Sequence, residues 1–176
     1  LYILKYDNNG NSLGYLSVPF RPNTEGYQPK MINFTYDPLT QQYYFTSWRD
    51  SPYDDEYSTI INNQIYQTSI LICFNVTGQV LWTKTANNAS SAIVERVLVD
   101  EQSNVYVSGR GTSSTVLPNG SNGPLNGNFG GYQFTNTLSR QSFVIKFNAQ
   151  GNLLWGSNAD GTAGDGLGGS GSESRS

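Results

Sequence analysis

The side chains of this sequence that could do chemistry are carboxylates, amides and aromatic rings. The chain has no histidine and one cysteine, so the usual general base and imidazole metal ligand is missing. No Gly-x-Ser-x-Gly nucleophile elbow and no zinc-ligand spacing occurs. A glycosidase needs two convergent carboxylates. Asp50, Asp54, Asp55 and Glu56 lie in one short stretch, the pattern of a solvated loop. The expectation is a protein that is not an enzyme. Asp54-Asp55-Glu56 and Asp160-Gly-Thr-Ala-Gly-Asp165 offer the hard oxygens that suit calcium. Asp54, Asp55, Asp160 and Asp165 are thus the metal candidates, although neither stretch follows an Asp-x-Asp-x-Asp-Gly pattern. Trp48, Tyr53, Tyr57, Tyr66 and Tyr132 are the ligand-binding candidates, because aromatic rings stack on sugars and anchor protein interfaces. The alternative for these rings is that they cap the ends of sheet cores.

The elements that must position these groups are strands. Only 13% of residues are charged, while 12 Tyr and 19 Gly stand beside abundant Asn, Ser and Thr. Aromatic and β-branched residues fit pleated, half-buried surfaces, and Asn and Gly fit turns. At 176 residues the chain is long enough to bury a core. A net charge of −3 and a pI near 4.8 lack the basic excess that nucleic acid requires. Cys73 has no partner for an intrachain disulfide and sits in the apolar run Ile70-Leu71-Ile72-Cys73-Phe74, so it reads as a small buried hydrophobe. No run approaches the ~20 apolar residues of a membrane-spanning helix. Asn-x-Ser/Thr sequons at Asn33, Asn75, Asn88 and Asn119 are what a chain of this composition holds by chance.

An internal repeat organises the chain. Tyr6-Asp-Asn-Asn-Gly10-Asn, Phe74-Asn-Val-Thr-Gly78-Gln and Phe147-Asn-Ala-Gln-Gly151-Asn align without gaps, each after an apolar run. The interval from Phe74 to Phe147 equals the interval from Trp82 to Trp155. In the first copy Gly14 holds the Trp position. Asx at the first turn position and Gly at the fourth specify a hairpin built on a type I turn and a left-handed glycine. Between these hairpins lies a second strand-turn-strand unit: Met31 to Trp48, with Asp37 ending its first strand, and Val94 to Gly109, with Asp100 in that place. Asp37 and Asp100 are closer in sequence than Phe74 and Phe147 are, so the connections vary while the hairpins persist.

Each unit is therefore two hairpins, or four antiparallel strands, separated by a long polar insert: about Arg49 to Gln67 and about Arg110 to Gln141. The closing hairpin is apolar on both faces, as in Phe143-Val144-Ile145, and needs cover on both sides. Neighbouring blades of a β-propeller provide that cover. A two-sheet sandwich competes, but it favours one solvated side and cleaner alternation. The expected architecture is all-β: propeller blades, about two and a half of them, where a full ring has four to eight. Residues 1–18 form a half blade, 19–90 and 91–159 form blades, and 160–176 form a Gly/Ser-rich tail or the start of a truncated repeat. A piece of a longer propeller is expected ahead of a short protomer that closes a ring by oligomerising.

Asp100…Asn104-Val-Tyr-Val-Ser-Gly109, then Phe143-Val-Ile-Lys146 and Gly151-Asn-Leu-Leu-Trp155, resemble the repeat of the seven-bladed β-propeller (SBBP-type) family. The resemblance covers most of the chain and is looser in the first unit, where Asp37-Pro-Leu-Thr-Gln-Gln-Tyr-Tyr-Phe-Thr-Ser47 lacks the glycines. It implies a secreted or cell-surface scaffold with no shared catalytic residues and no resident cofactor, partnered by neighbouring blades and by a protein or glycan. Two alternatives stay open. Phe74-Asn-Val-Thr-Gly78-Gln-Val-Leu-Trp82 is also similar to the closing hairpin of pyrroloquinoline quinone-dependent dehydrogenase propellers. A virion or filament component is the other.

Overall fold

The computed structural model describes residues 2–22, 30–48, 59–66, 69–86, 90–113, 126–135 and 140–159. All regular structure in these segments is β, and the long sheets are antiparallel. A first hairpin joins β1 (Tyr2–Tyr6) and β2 (Ser12–Ser17). The first four-stranded sheet follows chain order as β4 (Lys30–Asp37), β5 (Gln42–Trp48), β8 (Ile70–Asn75) and β9 (Val80–Thr85). The second repeats that order as β10 (Ser90–Val99), β11 (Val105–Ser113), β14 (Arg140–Phe147) and β15 (Leu153–Ala159).

The three Asx-x-x-Gly turns share one geometry. Asp7, Asn75 and Asn148 each accept two backbone N–H bonds on Oδ1, from the residues two and four further on. Gly10, Gly78 and Gly151 have φ of +83°, +86° and +80°, the left-handed region that glycine enters freely. Each hairpin then carries a bulge at the same place, where the register shifts after Lys5, Cys73 and Lys146. The bulge sets Lys5 opposite Gly14, Cys73 opposite Trp82, and Lys146 opposite Trp155. A second shared bulge lies in the first strand of each sheet, at Ile32 and Glu95. These two positions are spaced as Asp37 and Asp100 are. Extra residues at matching positions bend and twist matching strands, so the repeat extends to local curvature.

The inserts contain structure that their polarity concealed. β6 (Thr59–Ile61) and β7 (Gln64–Tyr66) form one hairpin, and β12 (Asn126–Phe129) and β13 (Tyr132–Thr135) form another. Their two-residue turns are Asn62-Asn63 and Gly130-Gly131, and all four residues have positive φ, as a type I′ turn demands. β3 (Phe20–Pro22) pairs with β6, and an isolated bridge joins Ala86 to Phe129. In both units the insert hairpin is thus tied to the chain leaving the preceding hairpin. Strand β11 runs on to Ser113 and β14 begins at Arg140, so the second insert is shorter than Arg110 to Gln141. Trp82 and Trp155 lie within β9 and β15 rather than at their ends.

Two cores result. Ile70, Ile72 and Phe74 meet Leu16, Val18, Phe45 and Ile61 on one face of the first sheet. Leu71, Cys73 and Tyr44 on its other face meet Val94, Val97, Val107, Phe143, Ile145 and Phe147 of the second sheet. Asn33 Oδ1 accepts the Val97 amide at 2.9 Å between the two sheets, next to both strand bulges.

Candidate functional site

Strand alternation gives each sheet a trailing face, turned toward the preceding unit, and a leading face, turned toward the following one. The first hairpin lays its leading face (Ile3, Leu16) on the trailing face of the first sheet. The leading face of the first sheet covers the trailing face of the second in the same way. One packing relation is therefore made twice.

Its polar contacts repeat as well. Lys5 Nζ donates to the Val76 carbonyl at 3.4 Å, and Trp82 Nε1 donates to the Ala149 carbonyl at 3.0 Å. Val76 and Ala149 are both the second residue of an Asx-x-x-Gly turn. Lys5 serves where Gly14 leaves the Trp position empty. The glycines of the second and third turns are packed against the unit before them. A Cβ on Gly78 would clash with the Ser17 carbonyl oxygen, and one on Gly151 would stand 2.8 Å from the Trp82 ring.

At the two ends of the stack this relation is left half-made. Tyr2, Leu4 and Tyr6 hold the positions of Ile70, Ile72 and Phe74, and of Phe143, Ile145 and Phe147. Those six are at most 2% exposed, whereas Tyr2, Leu4 and Tyr6 are 67%, 63% and 57% exposed. Tyr15, opposite Leu4, extends the patch, its ring edge-on to Tyr2 at 5.3 Å. Gly10 would place its Cβ within 4 Å of nothing. At the other end Leu98, Tyr106, Val144, Lys146 and Trp155 form the leading face of the second sheet. Leu98 is 63% and Trp155 45% exposed, and the Trp155 N–H has no partner among the described residues.

No family model matches the chain, and no curated protein is similar to it.

Electrostatics mark the second open face. Lys146 Nζ lies 3.5 Å from Asp100 Oδ2 and 4.7 Å from the Tyr106 ring centroid, with Trp155 edge-on to Tyr106 at 6.2 Å. Burial works against the Asp100 carboxylate, yet hydrogen bonds from Asn104, Gln102 and Tyr106 bring its pKa down to about 2. The Tyr106 hydroxyl and Asp100 in turn raise Lys146. The matching Asp37 is buried. Desolvation pushes its pKa up, but Thr40, Ser103 and the Leu39 and Thr40 amides outweigh that and hold it low. Ser103 belongs to the second sheet's turn, so this too is a contact between units.

Of the residues singled out in the sequence, Tyr66 and Tyr132 are placed between sheets. Tyr66 packs on the first core, with its hydroxyl 3.5 Å from Thr83 Oγ1. Tyr132 lies against Gly156, where a Cβ would clash with its ring, and donates to Asn158 Oδ1 at 2.5 Å. Both rings are engaged in packing. Trp48 closes β5, its backbone paired with Lys30. Tyr53, Tyr57, Asp54, Asp55, Asp160 and Asp165 lie outside the described residues, and no group of three metal-ligating side chains occurs within them. The sequon residues Asn33 and Asn75 spend their side chains on the fold, Asn33 on Val97 and Asn75 on its own turn. Among the described residues no helix is long and apolar enough to cross a membrane.

The open faces at Tyr2/Leu4/Tyr6 and Tyr106/Val144/Trp155 were not singled out by composition, since the equivalent residues of the first and second sheets are likewise apolar or aromatic. Alignment of the copies carried the signal: each position buried in one copy names its counterpart in another.

Proposed function

We propose that the chain is a β-propeller-type repeat module of the SBBP kind: a non-catalytic, extracellular or surface-associated scaffold that stacks on like units and presents its loops to a protein or glycan. One observation carries this function. The contact from Lys5 to Val76 and from Trp82 to Ala149 recurs at the same turn position, from the first hairpin to the first four-stranded sheet and from that sheet to a second of the same strand order. Repeat architectures are built from such unit-to-neighbour contacts. β10, the first strand of the second sheet, also packs on β4 and β5 of the first, which suits sheets fanned about a common axis. A two-sheet sandwich would bring its inner faces together and leave the outer ones polar. Here Tyr2, Leu4 and Tyr6 at one end and Leu98, Val144 and Trp155 at the other are apolar.

The test is the purified chain on a glycan array and against surface-protein extracts, together with its crystal structure. Saturable binding by a chain whose sheets fan about one axis supports the function. A closed face-to-face sandwich, or turnover of a bound ligand, overturns it.

A further inference from the structure

The Asn75-Val76-Thr77 sequon falls on the second of the three Asx-x-x-Gly turns, and the turns together separate the two ends of its amide. Asn75 Oδ1 accepts the Thr77 and Gln79 amides at 3.0 Å and the Thr77 hydroxyl at 2.6 Å. In the first turn Asp7 accepts the same two backbone N–H bonds with a carboxylate, so the turn requires the oxygen and not the nitrogen. Asn75 Nδ2 makes one long bond, 3.4 Å to Gln79 Oε1, in an exposed setting. Other turn residues meet the first hairpin: the Val76 carbonyl accepts Lys5 Nζ, and Gly78 lies against Ser17. Thr77 and Gln79 are exposed. Asp7 has no nitrogen to modify, and Asn148 is followed by Gln150 where a sequon needs Ser or Thr. Of the three equivalent turns, this one alone carries an acceptor.

Asn33 is the contrasting case. Its sequon, Asn33-Phe34-Thr35, lies within β4. Its Oδ1 holds the Val97 amide at 2.9 Å, and β10 packs on β4. A sugar on its nitrogen would stand in the joint between the two sheets. Asn88 and Asn119 lie outside the described residues. We propose that Asn75 is an N-glycosylation site of the folded chain and that Asn33 is not. This inference rests on the extracellular or surface placement proposed above, since a sequon is used on an exported chain. In the transfer, Asn75 Nδ2 bonds to the anomeric carbon of a sugar, and the bond from that carbon to the diphosphate of a lipid-linked donor breaks. The amide proton passes to a base of the transferase. Oδ1 is untouched, so every hydrogen bond that it accepts survives. The glycan then stands on the hairpin turn beside the contact with the first hairpin and leaves that contact intact.

The full-length chain secreted from a eukaryotic host tests this, with each site mapped by peptide mass spectrometry after enzymatic glycan release in heavy-oxygen water. Asn75 is expected to carry glycan in most molecules of the folded, secreted chain, with Asn33 unmodified. Asn75→Asp reproduces the chemistry of the first turn and is expected to lose one glycan, seen as faster migration on a gel. Enzymatic release itself converts a glycosylated Asn75 to Asp, so the released parent and the released variant should share one circular dichroism spectrum and one urea midpoint. Thr77→Ala removes the same sequon should Asn75→Asp not fold. An unmodified Asn75 in a folded, secreted chain overturns the proposal, and so does glycan on Asn33. The ligand-binding role is read separately on the array. A chain glycosylated at Asn75 that binds nothing retires that role alone, and a chain that binds ligand with Asn75 unmodified retires the glycosylation alone.

Discussion

Gly151 and Trp82 are in contact across two sheets: the Cβ that Gly151 lacks would stand 2.8 Å from the indole. The same glycine holds φ at +80°, so position and neighbour both exclude a side chain. Gly10 has the same backbone conformation and no neighbour. Gly10→Ala is expected to cost only the left-handed strain, about 1–2 kcal/mol. Gly151→Ala adds overpacking, for a total of about 2–4 kcal/mol. Urea midpoints of the two variants at equal protein concentration check the difference, and equal losses would show that the indole contact contributes nothing.

Phe147 and Tyr6 occupy one repeat position in two environments. Phe147→Ala empties a fully buried site and is expected to cost about 3–5 kcal/mol. Tyr6→Ala, at a surface position in the dilute chain, should stay within about 0.5 kcal/mol. Thermal melts in the low-micromolar range measure both.

Asn33 is a side chain of the first sheet that holds the strand backbone of the second. Asn33→Ala leaves the Val97 amide unpaired at the joint, with an expected loss of about 1–3 kcal/mol. Hydrogen exchange reports it directly, because the Val97 amide should exchange faster in the variant while amides in the middle of β14 keep their protection.

Asp37 and Asp100 are expected to contribute to the acid limit. Both carboxyls have folded pKa values below the ordinary 3.8, Asp100 at about 2. A depressed folded pKa contributes stability above the unfolded value, and that contribution disappears as pH falls through the folded one. Stability should therefore decline between about pH 4 and pH 2. Asp37→Asn and Asp100→Asn keep an Asx cap and remove the charge, so each should flatten this acid limb in chemical denaturation at stepped pH. An unaltered limb in both variants would assign the acid response elsewhere.

Cys73 is buried at the joint between the sheets, and burial pushes its thiol up to about 12. It should resist a disulfide reagent at pH 8 in the folded chain and react at once in urea. Rapid modification without denaturant would mean that the joint opens readily.

Much of the fold was legible in the order of residues because turn chemistry is local. Asp or Asn at the first turn position and glycine at the fourth bind their own backbone, and this placed three hairpins, while the apolar runs ending at Asp37 and Asp100 placed the strand pairs between them. Positions equivalent in the repeat, such as Phe74 and Phe147, turned out to share bulge and register, and Val76 and Ala149 share the role of hydrogen-bond acceptor. The insert hairpins were missed, although Asn62-Asn63 and Gly130-Gly131 carry the positive φ of a two-residue turn, because polar neighbours masked the short strands beside them. Which face of a strand is covered could not be read from the sequence. Leu4, Ile72 and Ile145 are equivalent and equally apolar, yet only the last two are buried. Burial depends on what another segment brings against a face, and that is settled in three dimensions. The tertiary structure likewise decided that Tyr66 and Tyr132 pack between sheets, and that Trp82 meets a partner while Trp155 is left open. Local hydrogen bonds within a turn need only their own residues, whereas a packing partner must come from far along the chain or from another molecule.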